Sequence, residues 1–255
     1  MHDVQNEYDS RGIEIDEVGI AGLRFPVAFD DGVTKQSGIA DAAVTVRLQA
    51  DRRGTHMSRM VALAQDELAT LDPRDMPHVL KEGAALLDTP TVKITVSMPF
   101  AQRVAAPATG KESWQVHNLT IEGLLEDGQA RVTTTVMTEV TSLCPCSKAI
   151  SDYGAHNQRS EISLSVTGYG DTPYPTPVDE AVAVLRASGS APVVPLVKRP
   201  DERVLTMQAY DHPVFVEDMA RTVSAECRGR GLRHSVKVRN LESIHSHDAI
   251  AFVAG

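Results

Sequence analysis

The chain runs twice through the same order of hydrophobic periods, strand, strand, helix, helix, strand, strand, and this constrains its fold more than any single motif. In the first half, Gly19 to Phe29 and Ile39 to Leu48 have the two-residue alternation of strands, clearest at Ala43-Val44-Thr45-Val46-Arg47-Leu48. Met57, Met60, Leu63, Ala64 and Leu68 then recur at three- and four-residue spacing, with Pro73 just beyond them. A second helix starts at Pro77, carries Val79, Leu80, Ala84 and Leu87 on one face, and stops near Thr89-Pro90. Val92 to Met98, Trp114 to Leu125 and Ala130 to Thr141 alternate again, and Glu126-Asp127-Gly128-Gln129 supplies a turn between the last two.

In the second half, Ser160 to Gly168 alternates through Ile162, Leu164 and Val166. Val178 to Ser188 has a helical period, and a further helix is expected near Pro213 to Cys227, ahead of Gly229 and Gly231. Strands at Ser235 to Arg239 and Ala249 to Val253 close the chain. The halves are not similar residue by residue, so an architecture is duplicated and not a sequence. The class is α+β. Four antiparallel strands with two helices on one face bury only that face, and the other face and the sheet edges need cover. Joining such sheets into a barrel across subunits solves both problems, which predicts an oligomer.

Composition narrows the function. The net charge of −9 argues against sequence-independent binding to nucleic acid or to an anionic membrane. No apolar run approaches the roughly 18 residues of a membrane helix. Met1 to Arg11 is polar and lacks the apolar core of a signal peptide. Three cysteines make no disulfide framework and point to a reducing, cytoplasmic setting.

Two of those cysteines lie one residue apart in Ser142-Leu143-Cys144-Pro145-Cys146-Ser147-Lys148, and His156 follows in Gly154-Ala155-His156-Asn157-Gln158-Arg159. Thiolates and imidazoles bind transition metals and perform nucleophilic chemistry. Pro145 is read as stiffening a loop and Gly154 as letting it turn. Cys-x-Cys with one distant His falls short of a closed four-ligand zinc site, so a packed loop stands as the alternative. Lys148 and Arg159 are placed to favour a thiolate.

Asn240-Leu241-Glu242-Ser243-Ile244-His245-Ser246-His247-Asp248 concentrates imidazoles and carboxylates at the expected end of a strand. Its two His would share a face if extended, and the alternative is a solvated loop. Lys198-Arg199-Pro200-Asp201-Glu202 reads as an exposed loop of mixed charge. The acids of Phe215-Val216-Glu217-Asp218 read as ordinary partners of a helix N-terminus. In Gly54-Thr55-His56-Met57-Ser58-Arg59, helix capping is the plain reading. No Gly-rich phosphate loop of the dinucleotide or P-loop kind occurs.

In order along the chain, from about residue 18 onward, these segments resemble the motif set of the type IB GTP cyclohydrolases. The resemblance implies the tunnelling fold, with two modules per subunit assembled into homotetrameric barrels. On this basis residues 1–16 form a polar arm, 17–127 a first module and 128–255 a second that carries most of the metal-site residues. It also implies conversion of GTP and water to 7,8-dihydroneopterin triphosphate and formate, the entry to tetrahydrofolate synthesis.

By similarity, Cys144, His156, Glu202 and His245 would ligate a divalent ion, and this donor set suits Zn²⁺, Mn²⁺ or Fe²⁺ alike. Metal-bound hydroxide would attack guanine C8, with Cys144 counted in the catalytic set and His247 and Glu242 as proton-transfer candidates. Glu217 would pair with the guanine N1–H and 2-amino donors, a pair that adenine lacks. Lys148, Arg159, Lys198, Arg199 and His56 are the local cations for the triphosphate, and Cys146 takes a supporting place. The rivals are a tunnelling-fold nitrile reductase with Cys144 as its nucleophile, and a non-catalytic metal-binding oligomer.

Overall fold

Long alternating segments dictate long strands, and a computed structural model of the chain, describing residues 4–255, shows them. The elements are β1 (Ile15–Asp30), β2 (Lys35–Leu48), α1 (Met57–Glu67), β3 (Thr70–Leu71), α2 (Met76–Leu87), β4 (Val92–Ala105), β5 (Glu112–Glu126) and β6 (Gln129–Leu143). There follow α3 (Pro145–Ile150), β7 (Asn157–Tyr169), α4 (Val178–Ser188), β8 (Ala191–Pro192), α5 (Arg199–Asp211), α6 (Val216–Gly229), β9 (Arg233–Asn240) and β10 (Ala249–Ala254). The strand order is β10-β9-β7-β6-β5-β4-β2-β1-β3, with β8 paired to β6. Pairing is antiparallel at β1–β2, β2–β4, β6–β8 and β9–β10, and parallel at the short β1–β3 contact. The α+β class therefore stands. Among the described residues no helix is long and apolar enough to cross a membrane.

The chain divides into two compact units, and β4, β5, β6 and β7 each contribute residues to both. One unit takes the chain up to Met98 with Thr120–Thr134 and Thr167–Pro175. Its β1–β2 hairpin keeps register from Ile15↔Leu48 to Asp30↔Lys35, with two irregularities. The turn is tied by Asp31, whose carboxylate accepts from Val33 N and Thr34 N at 3.0 and 2.7 Å and from the Tyr174 hydroxyl at 2.7 Å. Alternate strand residues Phe25, Val27, Phe29, Val44, Val46, Ile94 and Val96 are buried, as are Met60, Leu63 and Leu80 of α1 and α2. Part of the polar arm is engaged: Asp9 N donates to Asp51 O at 2.9 Å, and Gly54 N to Gln5 O at 3.1 Å. The arm's first three residues lie outside the described residues. The module boundary expected after residue 127 falls in the tight Asp127-Gly128 turn, where both residues have positive φ.

The other unit takes Pro99–Leu119, Thr135–Val166 and Thr176–Gly255. Its core includes Val182 and Leu185 of α4, Met219, Val223 and Cys227 of α6, and Val236 and Val238 of β9. His117, one of the nine histidines, is buried here with Nδ1 2.8 Å from Thr138 Oγ1. Burial, then the nearby Arg186 cation, lowers its pKa to about 4, so it is neutral near pH 7.

Two expected loops are helices. The Cys144–Lys148 run caps and enters α3, with Cys144 as N-cap and Pro145 in the first turn, so Pro145 starts a helix where a stiffened loop was expected. Lys198–Glu202 caps and opens α5, a 13-residue helix absent from the sequence reading. Apart from Asp201, only Ala209 of α5 is buried, so no apolar stripe announced it. The start signals were nevertheless present, with Pro200 and two acids in the first turn.

Candidate active site

Four chain segments of the second unit converge on one cavity of about 230 Å³, lined among others by Cys144, His156, Glu242, His245 and His247. Main-chain bonds set the frame. Where β6 ends, Cys144 N donates to His156 O at 3.0 Å, and Lys148 N to Cys144 O at 3.1 Å. The thiol accepts from Ser147 N at 3.4 Å, as an N-cap acceptor would. Gly154, at φ +82°, makes the turn that returns the chain to His156 and β7. Leu241 N donates to Arg159 O at 2.9 Å, fixing the start of the segment that carries Glu242, His245 and His247.

The rings of His156 and His245 lie 6.4 Å apart, edge to face at 88°, and those of His245 and His247 stack at 5.2 Å and 20°. His156 Nδ1 donates to Gln158 Oε1 at 2.8 Å. Val214, Phe215 and Ala249 give the cavity an apolar wall, while Ser142 and Asn240 line it as buried polar groups. Those two are satisfied. Ser142 Oγ donates to Val214 O at 2.8 Å, Asn240 Nδ2 to Ser142 Oγ at 3.0 Å, and Ser160 Oγ to Asn240 Oδ1 at 2.5 Å. Buried polar groups paired in this way hold one arrangement.

Other expected site residues do not line this cavity. Glu202, Lys198 and Arg199 sit exposed at the start of α5, and Glu217 is exposed in the first turn of α6, two residues from Phe215. Lys148 donates to Tyr210 O, with its Nζ 4.2 Å over the Tyr210 ring. Arg159 pairs with Glu139 at 3.5 Å. His56 is the N-cap residue of α1 in the other unit and lines a separate small cavity with Arg47 and Arg52. Cys146 is an exposed free thiol, and Cys144 and Cys227 are also free.

Beside Glu202, Asp201 is fully buried, and this the sequence reading missed. Its carboxylate accepts from Ala108 N (2.8 Å), Thr109 N (2.7 Å), Thr109 Oγ1 (2.8 Å) and Lys198 N (2.9 Å). Burial raises its pKa, but these bonds outweigh burial and bring it to about 2. Gln158, Ser142, Asn240 and Phe215 were missed as well. For Gln158 a signal existed, since two residues apart on an extended segment puts it on the same face as His156.

Cys144, His156 and His245 bring one thiol and two imidazoles to the same cavity, and these donor types fit a divalent transition ion. Their spacing is not yet that of a coordination shell: among the described residues no three His, Cys, Asp or Glu side chains group closely enough to hold an ion.

Known proteins resemble this chain along nearly its whole length. The family model described as type I GTP cyclohydrolase folE2 matches residues 1–251. GTP cyclohydrolase FolE2 of Neisseria meningitidis serogroup A is 41% identical over 254 residues, covering 99% of this chain and 84% of that protein. Its counterpart from Neisseria gonorrhoeae is 40% identical over 99% of this chain and 97% of its own length. Among solved structures, uricase from Arthrobacter globiformis superposes with a TM-score of 0.50 at 11% identity, over 94% of this chain and 92% of that one. At that identity the likeness concerns the fold alone, and the fold is the tunnelling fold. With identity near 40% sustained along its length, the chain belongs to the type I GTP cyclohydrolase FolE2 family.

Proposed function

We propose that the chain is a metal-dependent GTP cyclohydrolase that converts GTP and water to 7,8-dihydroneopterin triphosphate and formate, the first step towards tetrahydrofolate. The observation that carries this reading is the single cavity lined by Cys144, His156, Glu242, His245 and His247 in a chain of this family. A structural metal site has no use for Glu242 and His247 beside its donors, and the further metal donors His156 and His245 count against a thioimide-forming reductase, which needs no ion.

Cys144, His156 and His245 would hold the ion, with Glu202 as the fourth donor. When bound, the ion supplies Lewis acidity and lowers the pKa of water towards ~7. The chain's own groups do the rest. Glu242 and His247 move the proton that guanine N7 must gain before C8 accepts a nucleophile. The carboxylate of Glu217 accepts from N1–H and the 2-amino group and so rejects adenine. Phe215 and Val214 offer the planar base an apolar surface and keep bulk water from it. Lys148, Arg159, Lys198 and Arg199 supply cations to the triphosphate. Once C8 leaves as formate, the ribose rearranges and recloses on the exposed amine with loss of water, which gives one net water consumed.

The test is metal-stripped protein supplied with GTP and, separately, Zn²⁺, Mn²⁺ or Fe²⁺. Formate release and pterin fluorescence after oxidation are followed, with Cys144→Ala in parallel. Turnover should require an ion and vanish in the variant; a folded protein that binds metal and leaves GTP intact refutes the reading.

The modules at 17–127 and 128–255 are proposed to close into barrels within a homotetramer. In support, the strand order ends at β10, an uncharged strand whose Ile250 and Phe252 are both 70% exposed. An apolar edge strand of this kind pairs with another strand unless it is covered. Phe252→Lys is expected to lower the mass seen by light scattering below that of four chains. An unchanged tetramer would mean that this edge is not part of the assembly.

A further inference from the structure

His156 meets the cavity from the residue before β7, and the strand's second residue, Gln158, is 7% exposed. The 2.8 Å contact between His156 Nδ1 and Gln158 Oε1 joins a ring nitrogen to an amide oxygen. The oxygen can only accept, so Nδ1 carries the proton and Nε2 keeps the lone pair. The same Oε1 accepts from Ser243 Oγ at 3.4 Å, and that hydroxyl is also 3.4 Å from His156 Nδ1. Ser243 lies two residues before His245. One buried amide oxygen therefore touches both histidine-bearing segments.

We propose that Gln158 is a positioning residue that holds neutral His156 in the Nδ1–H form, leaving Nε2 as its donor atom, and that ties the Ser243–His245 segment to the same point. The proposal deepens the metal reading above and rests on it for its consequence, though not for the tautomer itself. Neutral imidazole in water favours the opposite form, with the proton on Nε2. Without a partner at Nδ1, His156 must give up that preference each time it donates through Nε2. Partners of this kind, when removed from metal-binding histidines, typically cost 10–100-fold in affinity.

The experiment uses the full-length, metal-free protein labelled with ¹⁵N-histidine, at a pH where imidazoles are neutral, with the His156 signals assigned by their loss in His156→Gln. Wild type is expected to show a protonated Nδ1 and an unprotonated Nε2. Gln158→Leu should move the proton to Nε2 and weaken Zn²⁺ binding, measured against a competing chelator, by about 10–100-fold. Gln158→Glu retains an acceptor oxygen and should keep both the Nδ1–H form and near wild-type affinity. Thermal unfolding of each variant separates misfolding from repositioning. Should the Leu variant fail to fold, the Glu variant and wild type still decide the tautomer. A wild-type His156 protonated on Nε2, or a folded Leu variant with unchanged tautomer, overturns the proposal. A wild type with the expected tautomer and no affinity for Zn²⁺, Mn²⁺ or Fe²⁺ removes the metal reading and leaves the positioning role standing.

Discussion

His247→Ala is expected to lower GTP turnover by roughly 10²–10⁴-fold, the usual contribution of a positioned proton-transfer group, while metal content stays that of wild type. The argument is geometric. His247 lines the cavity and stacks on His245 at 5.2 Å, so it lies beside a proposed donor without being one. Metal analysis and steady-state rates, measured on the same preparations, separate the two roles. Loss of the ion in step with activity would make His247 a ligand, and an unchanged rate would take it out of the mechanism. Glu242→Gln serves as the companion variant. If the two carboxylate and imidazole groups share one proton path, the double variant falls little further than the worse single one.

The second large effect is expected from Asp201→Asn. Three main-chain N–H groups and one hydroxyl converge on this carboxylate. Asparagine keeps one acceptor oxygen and turns an NH₂ group towards the remaining donors, leaving buried N–H groups without partners. The thermal midpoint should fall by several degrees. Turnover should fall with it, because Asp201 fixes the first turn of α5, which carries Lys198, Arg199 and Glu202.

The pH dependence has a definite sign. The folded pKa of Asp201, about 2, lies below the ordinary aspartate value of ~3.9. Its stabilisation is therefore complete above ~4 and drains away as pH falls towards 2. Unfolding followed from pH 7 to pH 2 should show that part of the acid sensitivity in wild type and not in Asp201→Asn. Parallel curves would place the acid transition in other carboxylates.

The sequence made the strands other than the two-residue β3 and β8, with α1, α2, α4 and α6, legible because their burial follows a regular period. Val44, Val46, Ile94 and Val96 alternate, and Met219, Ala220 and Val223 recur at helical spacing. It hid α5 because that helix buries one alanine and one aspartate, and a hydrophobic period cannot report a buried carboxylate. The need for Asp201 comes from Ala108 and Thr109, more than 90 residues away, and only the folded chain brings them together. The cavity was half legible. Thiol and imidazole types announce themselves by their rarity, so Cys144, His156, His245 and His247 stood out. Gln158, Ser142 and Asn240 are common residues, and only their partners distinguish them. Residues expected to handle GTP, such as Lys148 and Glu217, were legible through family motifs alone, and in this structure their side chains are turned to other partners or to solvent.

The frame of the cavity is closed by peptide groups: Cys144 N to His156 O, Lys148 N to Cys144 O, Leu241 N to Arg159 O. None of these bonds depends on which side chain stands at 144, 156 or 245. Descendants of this chain can therefore exchange one donor for another, or trade a thiol for a carboxylate, without redrawing the loops that present them. A lineage facing a changed supply of metals has room to retune the chemistry one substitution at a time while inheriting the scaffold intact.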